Sequence, residues 1–131
     1  TNMRIGNKLI YPELSYQVNG ILFEVHNNLG RFCNEQQYGD ALENHLKNNN
    51  ITYIREYTLP PSFDRELKGR NKVDFIIEDK LLLELKAKRV IEKGDYYQTM
   101  RYLKALNKKL GIIVNFRDKL IKPKRIINSY S

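Results

Sequence analysis

The chain has 131 residues, 41% hydrophobic and 29% charged, which is ordinary globular composition for one domain, residues 1–131, with a real core. Its net charge of +8 is lopsided: residues 1–79 hold 9 basic and 11 acidic side chains, residues 80–131 hold 14 and 4, so an acidic partner such as nucleic acid suits the second part. No run of about eighteen apolar residues and no long apolar leader is present, which argues against a membrane span and a secretory signal, and the single Cys33 excludes an intramolecular disulfide.

In chain order, "LSYQVNGILFEVHNNLG" spaces Leu14, Val18, Ile21, Leu22, Val25 and Leu29 as the apolar stripe of a helix, with Gly30 as its stop. "NEQQYGDALENHLKNNN" predicts a second helix. Asn34 stands at its cap, Gln37 at the capping-box position, and Tyr38, Ala41, Leu42, His45 and Leu46 on its apolar side. "ITYIREYTL" alternates and is rich in β-branched and aromatic residues, so it predicts a strand that Pro60-Pro61 ends. A polar connector with a turn at Gly69 leads to two strands, about 71–78 and 80–87. A helix of about fourteen residues follows in "EKGDYYQTMRYLKALNKKL", its buried side carrying Tyr96, Met100, Leu103 and Leu106. "GIIVNF" and "KRIINS" read as two more strands. The order ααβββαββ indicates an α/β (α+β) sheet with helices packed on it.

The middle hairpin, "VDFIIEDKLLLELKAK", places charges among residues that otherwise read as buried strand. Side chains on a strand alternate faces. Val73, Phe75 and Ile77 then share one face, with Leu81, Leu83, Leu85 and Ala87 across from them. If Glu78-Asp79-Lys80 forms the loop, Ile77 pairs with Leu81 and Asp74 lies opposite Glu84, with Lys86 two residues on. Two carboxylates so placed repel, and one is driven toward protonation unless a cation sits between them. Lys86 offers one charge. A divalent ion offers more, and hard oxygen ligands suit Mg²⁺. An ion there would polarise a phosphate and acidify a water, with the lysine steadying developing charge, which is the set that phosphodiester hydrolysis requires. The plainer reading of these three residues is a cross-strand ion pair on a solvated face.

In the helix that follows, Gln98 and Tyr102 are four apart and share a face. An amide there can hold a phosphate or a water, and a phenol can bond a phosphate or stack on a base. Arg101 and Lys104 flank them. The ordinary alternative is one surface and one core residue.

Asp74, "ELK" at 84–86 and "QxxxY" at 98–102 together resemble the PD-(D/E)XK nuclease superfamily, near its RecB-like branch. More narrowly, the chain from about residue 13 to about 128 resembles the small bacterial GxxExxY proteins. "LSYQVNGILFEVHNNLG" resembles their first helix. "NEQQYGDALENHL" resembles their ExxY helix, with Glu35 and Tyr38 in the matching places. "LKGRNKVDFIIEDKLLLELKA" resembles their core hairpin, and "LGIIVNF" the strand after the Gln-Tyr helix.

The resemblance implies a restriction-endonuclease-like fold, a central mixed sheet flanked by helices. It implies Asp74 and Glu84 as ligands of Mg²⁺ or Mn²⁺, with the Leu85 carbonyl as a third, and Lys86 as the catalytic lysine. Glu35 becomes an added acidic residue, and Gln98 and Tyr102 the accessory pair near the phosphate. The family's glycine falls at Phe32 here, and Val73 precedes Asp74 where the superfamily has proline. The implied function is a metal-dependent nuclease, with DNA ahead of RNA and a homodimer left open. An inactive nucleic-acid-binding or protein-interaction module on the same fold is the alternative.

Other residues carry less. His26 and His45 read as structural, and with Cys33 they lack zinc-site spacing. Lys108, Lys109, Arg117, Lys119, Lys122, Lys124 and Arg125 could grip a phosphate backbone or simply be solvated. A reducing, cytoplasmic setting is the expectation from cysteine usage.

Overall fold

The computed structural model describes residues 10–129. Pro12, whose missing N–H costs nothing in a first turn, opens α1 (Pro12–Leu29), and Gly30 at φ 76° ends it. The stripe of Val18, Ile21, Leu22 and Val25 is buried, as the periodicity predicts. Asn34 and Gln37 form the capping box of α2 (Glu35–Asn48): the Gln37 N–H donates to Asn34 Oδ1 and the Asn34 N–H to Gln37 Oε1, both at 2.9 Å.

The sheet holds β1 (Tyr53–Thr58), β2 (Lys72–Ile77), β3 (Leu81–Lys86), β4 (Leu110–Asn115) and β5 (Lys124–Ile127), in that spatial order. All neighbours are antiparallel except β3 and β4. That parallel pair needs a crossover, and α3 (Lys93–Leu106) supplies it. Covered on both faces, the pair is almost continuously buried and apolar, which is why its strands read as runs of Leu, Ile and Val.

α1 and α2 cover one face, where Phe75, Ile77, Leu81, Leu83, Leu85, Ile112 and Val114 meet Val18, Leu22, Tyr38 and Leu42. α3 covers the other, packing Tyr102 and Leu103 on Ile76, Leu82 and Ile113. It comes close at Gly111, where a Cβ would lie 3.0 Å from Thr99 Cγ2. The buried residues of α3 are Thr99, Tyr102 and Leu103, while the expected Tyr96, Met100 and Leu106 are only partly buried. The helix is rotated from the sequence expectation because the close approach at Gly111 admits the small Thr99 at the centre of the contact.

A second departure sits in the hairpin. Val73 packs in the α3 cluster with Ile76, while Phe75 and Ile77 pack against α1 and α2. Strict alternation would have kept Val73 with Phe75. The irregularity coincides with Glu56, which lies between the pairs Arg55↔Phe75 and Tyr57↔Val73 and has φ 56°. A non-glycine residue held there costs about 1 kcal/mol or more.

Candidate active site

The β2–β3 loop has the predicted register, with Ile77 against Leu81, Ile76 against Leu82 and Phe75 against Leu83. One step further the backbone ladder gives way to side chains. The Asp74 N–H donates to Glu84 Oε2 at 2.8 Å, and the Leu85 N–H donates to Asp74 Oδ2 at 2.7 Å. Each carboxylate therefore spends one oxygen on the opposite strand's backbone and retains the other. The Lys86 carbonyl accepts from Phe116 on the β4 side at 2.8 Å. By alternation the Leu85 carbonyl is turned to the opposite side, toward β2 and the two acids.

Glu84 is 2% exposed and Asp74 half-buried. Burial, then the charge of Asp74, pushes the Glu84 carboxyl up to about 8. Burial also raises Asp74, to about 6, with Glu35 and Glu56 adding to it, while the Leu85 N–H and Lys86 oppose. The two titrate as a pair. A cleft of about 60 Å³, room for water, is lined by Asp74, Leu85, Glu35 and Glu56. Glu35 is exposed on the first turn of α2, and its charge acts on both hairpin acids. Among the described residues, no three His, Cys, Asp or Glu side chains converge closely enough to hold an ion by themselves.

Lys86 leaves the same end of β3. Its Nζ lies 3.8 Å from Asp95 Oδ1, on the first turn of α3. The other Asp95 oxygen takes Lys88 Nζ and the Glu92 N–H, each at 2.8 Å. Burial of Asp95 is outweighed by these partners, which hold its carboxyl below the ordinary value. The ammonium is thus tethered beside the acids instead of lying between them. Tyr102 is 3% exposed and packs in the α3 cluster, so its ring is core. Burial, then the charge of Glu84 and that of Asp74, raises its phenol. Gln98, one turn earlier, is half-buried.

The basic residues singled out from sequence do not gather in one place. Arg101 and Lys104 are exposed on α3. Lys108 and Lys109 precede β4 at the far end of the sheet, and Lys108 Nζ bonds Asp79 of the β2–β3 turn at 2.9 Å. Lys122 and Lys124 line a cavity of about 240 Å³ with Tyr96, beside the start of β5. His26 Nε2 lies 2.9 Å from the Asp118 carbonyl oxygen, and His45 lies 3.6 Å from Glu24, both structural contacts.

Three residues near the acids escaped the sequence reading. Glu56 lines the cleft from β1, with a left-handed backbone that the alternating pattern does not announce. Asp95 was visible as a first-turn acid, but its reach to Lys86 depends on how α3 docks. Asn115 is buried at the end of β4, accepting from the Lys88 N–H at 3.1 Å and donating to the Lys88 carbonyl at 2.7 Å, so it fixes the chain just past Lys86.

The family model described as the PD-(D/E)XK nuclease superfamily matches residues 12–127. No curated protein and no solved structure matches the chain. Among the described residues, no helix is long and apolar enough to cross a membrane.

Proposed function

The chain belongs to the PD-(D/E)XK nuclease superfamily, and from that premise we propose that it is a divalent-metal-dependent nuclease hydrolysing phosphodiester bonds, with DNA ahead of RNA as substrate. Its five-stranded mixed sheet between helices is the restriction-endonuclease-like arrangement. The single observation that carries the proposal is the reciprocal hold between the half-buried Asp74 and the buried Glu84, kept close by each other's strand.

The donor set fits a hard divalent ion. Asp74 and Glu84 each keep one oxygen, the Leu85 carbonyl faces the same side, and Mg²⁺ or Mn²⁺ completes its shell with water. Burial and mutual repulsion resist the anionic forms, and a cation relieves both effects. When bound, the ion supplies charge for a phosphate oxygen and acidifies a coordinated water. Lys86, oriented by Asp95, places its ammonium at the same end of β3, where charge builds on the phosphate. Glu35 adds a solvent-facing carboxylate to the cleft that Asp74 lines. Gln98 offers an amide to phosphate or water, and the Tyr102 phenol stands within the field of both acids on the core side.

The test is cleavage of linear and circular DNA in Mg²⁺ or Mn²⁺ by the wild type, Glu84→Ala and Lys86→Ala. Loss of roughly 10² or more in rate is expected for each variant. Wild-type protein that cuts nothing over a broad range of pH and ion, or variants that cut equally well, would end the proposal.

A further inference from the structure

Phe32 is 77% exposed, yet its surroundings are built. The guanidinium carbons of Arg31 and Arg117 lie 5.0 and 5.7 Å from its ring centroid. The two arginines lock each other: Arg31 Nε donates to the Arg117 carbonyl at 2.8 Å, and Arg117 Nε donates to the Arg31 carbonyl at 3.1 Å. Arg117 Nη2 reaches the Ala87 carbonyl at 3.3 Å, just past Lys86. Beneath the turn, the Tyr38 hydroxyl donates to the Gly30 carbonyl at 2.6 Å and accepts from the Cys33 N–H at 3.2 Å. The Tyr38 ring stacks on Phe116 at 4.1 Å. A solitary surface phenylalanine needs no explanation, but one carried on a turn that a buried tyrosine pins and flanked by two interlocked cations is an aromatic platform.

The platform opens on a groove of about 590 Å³ that also includes Glu35, Ala87 and the first turn of α2. Glu35 and Gln36 line the Asp74 cleft as well, so the groove and the cleft adjoin across the first turn of α2. A nucleic-acid strand reaching Asp74 and Glu84 from the α2 side would pass over Phe32. Its phosphates would meet Arg31, Arg117 and the positive end of α2, and a base would meet the open ring.

Resting on the nuclease reading above, we infer that Phe32 is a stacking platform for an unpaired base of the substrate strand, with Arg31 and Arg117 gripping the adjoining phosphates. A base inside a duplex already has both faces covered by its neighbours, so it has none to offer the ring. The substrate class this assigns is single-stranded or frayed nucleic acid.

The chain has no tryptophan, so Phe32→Trp introduces a single indole reporter at the platform. Binding of a labelled single-stranded DNA and of a blunt duplex with equal phosphate number is measured in chelator by anisotropy, for the wild type, Phe32→Ala and Phe32→Trp. Stacking on an aromatic side chain predicts that Phe32→Ala weakens single-strand binding about 10-fold while duplex binding is unchanged. Phe32→Trp should restore the affinity, and its fluorescence should be quenched by the single strand but not by an abasic one. Equal loss on both DNAs, no loss, or quenching by the abasic strand overturns the platform. If the wild type cuts DNA but fails these tests, the platform alone is wrong. If it neither binds nor cuts any nucleic acid, both readings fall together.

Discussion

Asp74 and Glu84 hold each other through the backbone: the Asp74 N–H donates to the Glu84 carboxylate at 2.8 Å, and the Asp74 carboxylate accepts from the residue after Glu84 at 2.7 Å. Each acid is oriented by the strand that carries the other, so neither can turn away without breaking one of these two hydrogen bonds.

The first prediction concerns pH. Burial raises both carboxyls, and Asp74 raises Glu84 further, to about 6 and about 8 respectively. The unfolded chain releases these protons near pH 4, so between the unfolded and folded values the folded state holds more protons. Their contribution to stability is complete below the unfolded values and is lost as pH rises through the folded ones. In chelator, the melting temperature should fall between about pH 5 and about pH 9, and Glu84→Gln should flatten that fall. Mg²⁺ or Mn²⁺ binds the anionic pair, so it should raise the melting temperature by more at pH 8 than at pH 5.5, by on the order of 5 °C. Calorimetry across this range checks it; a wild-type profile indifferent to both pH and ion contradicts it.

A second prediction separates holding from reacting. Asp95 takes the Glu92 N–H on Oδ2 and Lys88 on both oxygens, and it faces Lys86 with Oδ1. Asp95→Asn keeps an acceptor for the helix start but removes the charge that steadies Lys86. Its kcat should fall about 10-fold with KM for DNA changed less than about twofold, while melting drops by only about 3 °C. Lys86→Ala should lose roughly 10² or more in kcat. Steady-state kinetics on labelled DNA beside thermal melts distinguish the two. Unchanged kcat in Asp95→Asn would show that Lys86 needs no such tether.

A third concerns the turn before α2. Tyr38→Phe removes the hydroxyl that bridges the Gly30 carbonyl and the Cys33 N–H, leaving both without their partner. The expected cost is about 1–3 kcal/mol, a drop of roughly 5–10 °C in melting temperature. Chemical denaturation should show a lower midpoint with an unchanged slope. A variant as stable as the wild type would mean that water replaces the phenol and that the turn needs no anchor.

From the sequence alone, the order of elements, the α2 capping box and the Ile77↔Leu81 register were legible. All three are set by residues close in the chain: periodicity, a cap three residues from its partner, and a short polar loop, Glu78-Asp79-Lys80, between two apolar runs. The opposition of Asp74 and Glu84 followed from that register by counting. Tertiary structure decided what depends on contact between distant segments. It put Val73 in the α3 cluster, where β1 carries the left-handed Glu56, and buried Tyr102 because α3 seats Thr99 on Gly111. It drew Lys86 to Asp95, tied Lys108 to Asp79 at the far end of the sheet, and set Phe32 beside two arginines 86 residues apart. Local patterning specifies which face a side chain prefers. Which partner it meets there depends on how helices dock, and the hydrophobic contacts that decide docking carry no record in the spacing of the charged residues.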